Sequence, residues 1–255
     1  MNTLFRPLVW ATLAASLMIP ALPALAAPPP LEPRSEGFTR IHFGFKGGLS
    51  LAQHQGTEPR DLEYTVSSTM RQGFGGGAFL ILPVTERFGI QQEVLYVQKG
   101  SRQTIGAEVL TIPVSMDVTY DMDYIEIPVL LRYHWLTTSK ISLYSLAGFA
   151  FGLKVDDRYT LDAVLDDGVD QVPIHADSDM SEVDIFDFVF SYGLGLEFAV
   201  GSNWLLLEYR FDLSLEALPM PTYAYVPFGD EEILVENDPV PLRNQAHLLM
   251  IGLRF

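Results

Sequence analysis

The last nine residues, HLLMIGLRF, alternate between apolar and other side chains up to the final Phe255. Chain ends ordinarily fray, so a strand pattern running to the last residue implies that a neighbour pins it. The same period of two fills WLLLEYRFDLSLEAL, where Leu205, Leu207, Tyr209, Phe211, Leu213 and Leu215 share one face. Trp204, Leu206, Glu208, Arg210, Asp212, Ser214 and Glu216 share the other. A helix would scatter both sets around its circumference. One face suits lipid and the other carries charge. Beyond the first 26 residues no apolar stretch is long enough for a spanning helix. A chain with such faces must then close its strands into a barrel, the other fold that satisfies its backbone in lipid. The last strand pairs with the first to remove both edges, and that pairing holds Phe255.

The remaining segments follow the rule with varying clarity. DFVFSYGLGLEFAV sets Phe188, Phe190, Tyr192, Leu194, Leu196 and Phe198 against Asp187, Ser191, Gly193, Gly195 and Glu197. YIEIPVLLRYHW sets Ile125, Ile127, Val129, Leu131, Tyr133 and Trp135 against Glu126, Arg132 and His134, with Pro128 predicting a bulge or distorted pairing. RIHFGFKGGLS, FGIQQEVLYVQKG, ISLYSLAGFAFGLKV and NQAHLLMIGLRF read likewise, whereas GFGGGAFLIL is too glycine-rich for its faces to be chosen. Short connections near LPVTER, LTTSK and VGSN alternate with long ones at roughly 51–69, 100–117, 156–183 and 218–242. The expected fold is all-β: an eight-stranded antiparallel up-and-down transmembrane β-barrel with long external loops. A soluble barrel would carry the inverse pattern over residues 124–216, apolar inside and polar outside.

The first 26 residues have one base (Arg6), an apolar run from Leu8 to Ile19 and Ala24-Leu25-Ala26 before a proline stretch, which reads as a cleaved export signal. Its removal takes away only one charged side chain. The expected organisation is a signal at 1–26, a linker at 27–38 and a barrel at 39–255. Lys and Arg total 16 against 32 Asp and Glu, a formal charge of −16, so nucleic acid is not an expected partner. The absence of cysteine excludes disulfides, thiol nucleophiles, thiolate metal sites and a lipidated cysteine.

An eight-stranded barrel has an interior that side chains fill. The inward positions include Lys46, Glu93, Lys99, Glu126, Arg132, Lys154, Glu197, Glu208, Arg210, Asp212 and Arg254, with both signs present. They read either as an ion path or as a network of paired charges plugging the lumen, and the plug is preferred because isolated buried charges are costly. Residues 156–184 hold ten acids against the single base Arg158. Within them Asp166, Asp167 and Asp170 surround a glycine turn that offers carboxylates to calcium but lacks the full spaced loop; a solvated hairpin tip is the plainer reading. The final external segment mixes Tyr223, Tyr225 and Phe228 with acids and prolines, as either a contact surface for a protein partner or loop packing. The five histidines are dispersed and neither H-E-x-x-H nor G-x-S-x-G occurs, so no catalytic residue and no cofactor is assigned.

QQEVLYVQKG, DYIEIPVLLRYHW, YSLAGFAFGLKV, SYGLGLEF, LLLEYRFDLSL and HLLMIGLRF, in that order, resemble the PorT-like outer membrane protein β-barrel domain family. The likeness covers most of the chain after residue 38. It implies a barrel in a Gram-negative type outer membrane, with lipid and the barrel assembly machinery as partners, the latter reading the C-terminal aromatic strand. One branch of that family is implicated in protein secretion, and that role is not transferred. The leading expectation is a non-enzymatic structural or binding scaffold with acidic loops outside; the alternative is a small pore or a transport or secretion component.

Overall fold

The computed structural model describes residues 40–56, 64–109, 112–166, 171–178, 185–228 and 231–255. The expected signal and linker lie outside the described residues. Ten strands follow one another: β1 (His42–Gly56), β2 (Tyr64–Pro83), β3 (Phe88–Val109), β4 (Ile112–Thr137), β5 (Ile141–Asp166), β6 (Gln171–Ser178), β7 (Phe186–Val200), β8 (Asn203–Ser214), β9 (Leu218–Phe228) and β10 (Glu231–Arg254). Eight of them, β1-β2-β3-β4-β5-β7-β8-β10, form a closed antiparallel barrel, because β1 also pairs with β10 from Gly44↔Arg254 to Gly56↔Leu242. The Phe255 amide donates to the Phe43 carbonyl at 2.8 Å, and the two rings stack at 5.4 Å. The C-terminus is therefore a paired strand end.

The lipid-facing assignments agree with burial. Val129 and Leu131 are 52% and 53% exposed, whereas Glu126 and Arg132 on the other face of the same strand are 0% and 1% exposed. In the glycine-rich β2 the structure turns Phe74 and Leu80 outward and packs Phe79 and Ile81 inward against Leu206. Aromatic contacts mark both rims of the apolar band, as girdles do in outer-membrane barrels. Phe88, Tyr133 and Trp135 lie near the short turns, and the pairs Phe74–Tyr96 and Phe151–Phe186 lie toward the opposite end.

Two expectations are corrected. The connections taken as long loops are mostly strand: β1 continues to Gly56, β3 to Val109 and β5 to Asp166, and β9 and β10 make a hairpin through most of 218–242. The reason is an inversion of the alternation. Beyond the apolar band, β4 points Val118, Tyr120, Met122 and Tyr124 inward, each at most 4% exposed, while Asp117, Thr119, Asp121 and Asp123 take the outer face. Tyr159 and Leu161 continue that inward apolar layer on β5. Water replaces lipid outside, so the sheet there needs a polar exterior and an apolar core. The second correction concerns the extra strands. β6 pairs with β5 above β7, and β9 carries the β8 path onward along β10, with a two-residue excess between Leu213↔Gln245 and Leu218↔Leu242.

At Pro128 the β3–β4 ladder keeps a single register but has no paired residues between Gln92↔Val129 and Leu95↔Glu126. Proline has no N–H to donate. The expected irregularity is thus a gap in the pairing and not a bulge.

Candidate functional site

Inward-facing charges stack along the lumen from the short-turn end outward. Nearest that end, Glu197 takes Arg132 at 2.7 Å and Arg254 at 3.0 Å. Arg132 also donates to Gln91 at 2.7 Å, and its guanidinium lies 3.4 Å from the centre of the Tyr144 ring. Above them Lys46 and Arg210 alternate with Glu93 and Glu208 in a closed square: Lys46–Glu93 2.6 Å, Lys46–Glu208 2.6 Å, Arg210–Glu93 2.6 Å and Arg210–Glu208 2.8 Å. All four side chains are fully buried. Tyr144 donates to the second oxygen of Glu208 at 2.9 Å. It can reach because its ring lies over Gly195, where any Cβ would strike it. Farther out Lys99 pairs with Glu126 at 2.6 Å and with Asp187 at 3.4 Å, and Ser214 donates to Asp187 at 2.8 Å.

The structure thus brings Lys46, Glu93, Glu126, Arg132, Glu197, Glu208, Arg210 and Arg254 into ion pairs. Asp212 is buried at 1% exposure and faces Ser191 across the β7–β8 ladder. Lys154 stands apart, paired with Asp157 at 2.5 Å near the outer end. Asp187 belongs to the network although the sequence singled it out only as an inward position. Gln91, Tyr144 and Ser214 complete the network, and neutral side chains of this kind carry no charge signal by which to find them. An apolar layer formed by Leu95, Val97, Leu248 and Met250 also lines the interior. Of the calcium candidates, Asp166 ends β5, and Asp167 and Asp170 lie outside the described residues. Among the described residues no three His, Asp or Glu side chains form a metal-holding group.

Two serine–histidine pairs bear on catalysis. Ser142 lies 2.9 Å from His134 Nδ1, but Arg132 donates to His134 Nε2 at 3.1 Å. That fixes Nε2 as the acceptor, so Nδ1 carries the proton and donates to the serine. A general base needs the opposite arrangement. Ser101 lies 2.6 Å from His54 Nδ1, beyond the apolar band, and is fully buried. Burial, outweighing Asn244 and the charge of Asp187, pushes the His54 imidazole down to about 4, too weak a base to activate a hydroxyl at neutral pH.

His54 makes the outer extension acid-sensitive. Below the ordinary histidine value of 6.5 the unfolded chain binds a proton that the folded chain refuses until about pH 4. Stability is therefore lost as pH falls through that window and levels off beneath it. Guanidinium unfolding of the micelle-bound protein at pH 7 and 4.5 should show a smaller loss for His54→Gln than for the parent; equal losses would remove His54 from the account.

A family model described as outer membrane protein beta-barrel domain matches residues 30–218. No curated protein matches the chain. Similar solved structures include the outer membrane protein OprG from Pseudomonas aeruginosa, 10% identical, with 86% of this chain and 98% of that chain covered and a TM-score of 0.45. The outer membrane protease OmpT from Escherichia coli is 8% identical over 88% of this chain and 99% of its own, with a TM-score of 0.42. Neisserial surface protein A is 13% identical over 83% and 95%, with a TM-score of 0.35.

Proposed function

The chain belongs to the outer membrane protein beta-barrel domain family, and from that premise we propose that it is a non-enzymatic scaffold whose work is done by its acidic external hairpins. The observation that carries this reading is the buried square of Lys46, Arg210, Glu93 and Glu208, continued by ion pairs on both sides. Contacts of 2.6–2.8 Å within the square leave no width for a hydrated ion between the partners. A small pore would need water to separate these same groups. The binding surface then falls to the hairpins β5–β6 and β9–β10, rich in Asp and Glu, with a basic protein face as the matching partner.

The likeness of the strand segments to PorT-like barrels is retained within this proposal, without the secretion role of one branch. Residues 1–26 act as the export signal, so the protein isolated from cells should begin at Ala27. The test is photo-cross-linking in intact cells from a residue in the β9–β10 hairpin, with a matched probe at Ser139 in a short turn as the control. A discrete, stoichiometric adduct from the hairpin alone is expected. No adduct from any external hairpin, together with solute flux through the purified barrel, would overturn the scaffold reading.

A further inference from the structure

The outer face of β10 changes character in steps as the strand leaves the membrane. Leu253, Ile251 and Leu249 are exposed and apolar, His247 is half-buried, Gln245 is buried and Arg243 is exposed. The neighbouring β1 changes over the same rows: Leu49 pairs with Leu249, Leu51 with His247, Gln53 with Gln245 and Gln55 with Arg243. From the short-turn side outward the order is hydrocarbon, neutral polar groups and then a cation. A phospholipid of the outer leaflet presents acyl chain, ester and phosphate in the same order.

Charge sets this side of the rim apart. On β4 the outer face above the apolar band carries Asp117, Asp121 and Asp123. The cations beside them are taken: Arg102 pairs with Asp117 at 3.1 Å, Arg71 with Asp121, and Lys154 with Asp157 at 2.5 Å. Arg158 sits in register with Asp121. An anionic headgroup is repelled there. Arg243 forms no ion pair with any described residue, and Gln55 beside it and Gln245 below it are uncharged amides.

Below Arg243 a hydrogen-bonded chain ends in an unused donor. The Gln245 amide N–H₂ can only donate, and it lies 3.4 Å from His247 Nε2, which makes Nε2 the acceptor. Nδ1 then carries the ring proton and donates to the Tyr209 hydroxyl oxygen at 2.8 Å. Phe211 flanks the imidazole, with the ring centres 4.9 Å apart. The Tyr209 hydroxyl proton is left over, on a side chain 43% exposed on the lipid face, and it meets no acceptor among the described residues. A donor without an acceptor is costly in hydrocarbon. The acceptor that a bilayer offers near its rim is a lipid ester carbonyl.

We infer that the β8–β10–β1 face binds one phosphate-bearing lipid of the outer leaflet, with its phosphate at Arg243 and an ester carbonyl at Tyr209. Four residues of strand, roughly 13 Å, separate Arg243 from His247, and an arginine side chain bent down toward the apolar stripe shortens that gap. The acyl chains lie along Leu249 and Ile251. The site is independent of what the external hairpins bind, so failure of the scaffold reading leaves it standing.

The test is native mass spectrometry of the full barrel released from mixed micelles holding equal amounts of phosphatidylglycerol and phosphatidylcholine. The parent is expected to retain a single lipid, with phosphatidylglycerol favoured roughly fivefold, the discrimination of one arginine near an anionic headgroup. Arg243→Gln should abolish the preference and Arg243→Lys should keep it, as should Arg158→Gln on the acidic side. Tyr209→Phe should weaken retention of both lipids alike, because both carry the ester. All four substitutions are on the outer surface, and a heat-dependent shift in gel mobility checks that each variant is folded. Equal retention of the two lipids by the parent, a preference that survives Arg243→Gln, or retention unchanged in Tyr209→Phe would overturn the site.

Discussion

Replacing Arg210 with methionine is expected to destabilise the folded barrel by about 3–5 kcal/mol, the usual cost of removing one partner from a buried ion pair. Arg210 donates to Glu93 at 2.6 Å and to Glu208 at 2.8 Å, and both glutamates are fully buried. Without it Lys46 faces two carboxylates alone. The loss comes from the uncompensated charge and not from the missing contact, so a second substitution that restores neutrality should recover much of it. In Arg210→Met with Glu93→Leu, Lys46 keeps Glu208 at 2.6 Å and Tyr144 keeps its hydrogen bond. Guanidinium unfolding in micelles of the parent, the single variants and the double variant gives the coupling directly. Additive losses would mean that the four charges do not act as one neutral group.

Leu207→Arg tests the opposite face. Leu207 is 45% exposed, paired with Ile251 on β10 and Leu196 on β7 within the apolar band. An arginine facing lipid near the bilayer midplane costs about 2–4 kcal/mol. Arg243, exposed on β10 above that band, already turns an arginine outward at a height where water is at hand. Unfolding of the protein from lipid vesicles is the measurement. A neutral Leu207→Arg would undo the assignment of faces on β8 and, through the shared alternation, on its neighbours.

The eight membrane strands were legible because lipid outside and charge inside impose opposite demands on adjacent residues, and DFVFSYGLGLEFAV and WLLLEYRFDLSLEAL meet both without interruption. The strand extensions were not, since that reading looked for apolar residues on the outer face. Residues 116–124 alternate just as regularly with the phase turned round, Val118, Tyr120 and Met122 inward and Asp117, Thr119 and Asp121 outward. The phase changes where the surrounding solvent changes, near Tyr124 and Ile125 on β4. GFGGGAFLIL stayed ambiguous because glycine carries no side chain to mark a face, and only pairing with β1 and β3 decides it.

Within the interior, membership could be read from alternation, but partnership could not. Which inward residues meet depends on the stagger between strands, which the barrel's closure sets as a whole. Lys46 and Glu208 are 162 residues apart and touch because β1 closes onto β10, whose other neighbour is β8. Asp187 joins Lys99 for a similar reason: Gly152 on β5 pairs with Glu126 on one side and Asp187 on the other, which sets the two acids at one height. A Cβ at Gly152 would press on Asp187 and on the Tyr124 ring.

Single-channel recording of the folded protein in a planar bilayer tests the central claim most directly, namely that the barrel spans the outer membrane with its interior sealed by paired charges. The sealed interior predicts no reproducible conductance steps in molar potassium chloride, with steps emerging when Arg210→Met opens the square. Regular ohmic steps from the parent protein, unchanged by that substitution, would contradict it and make the lumen a path.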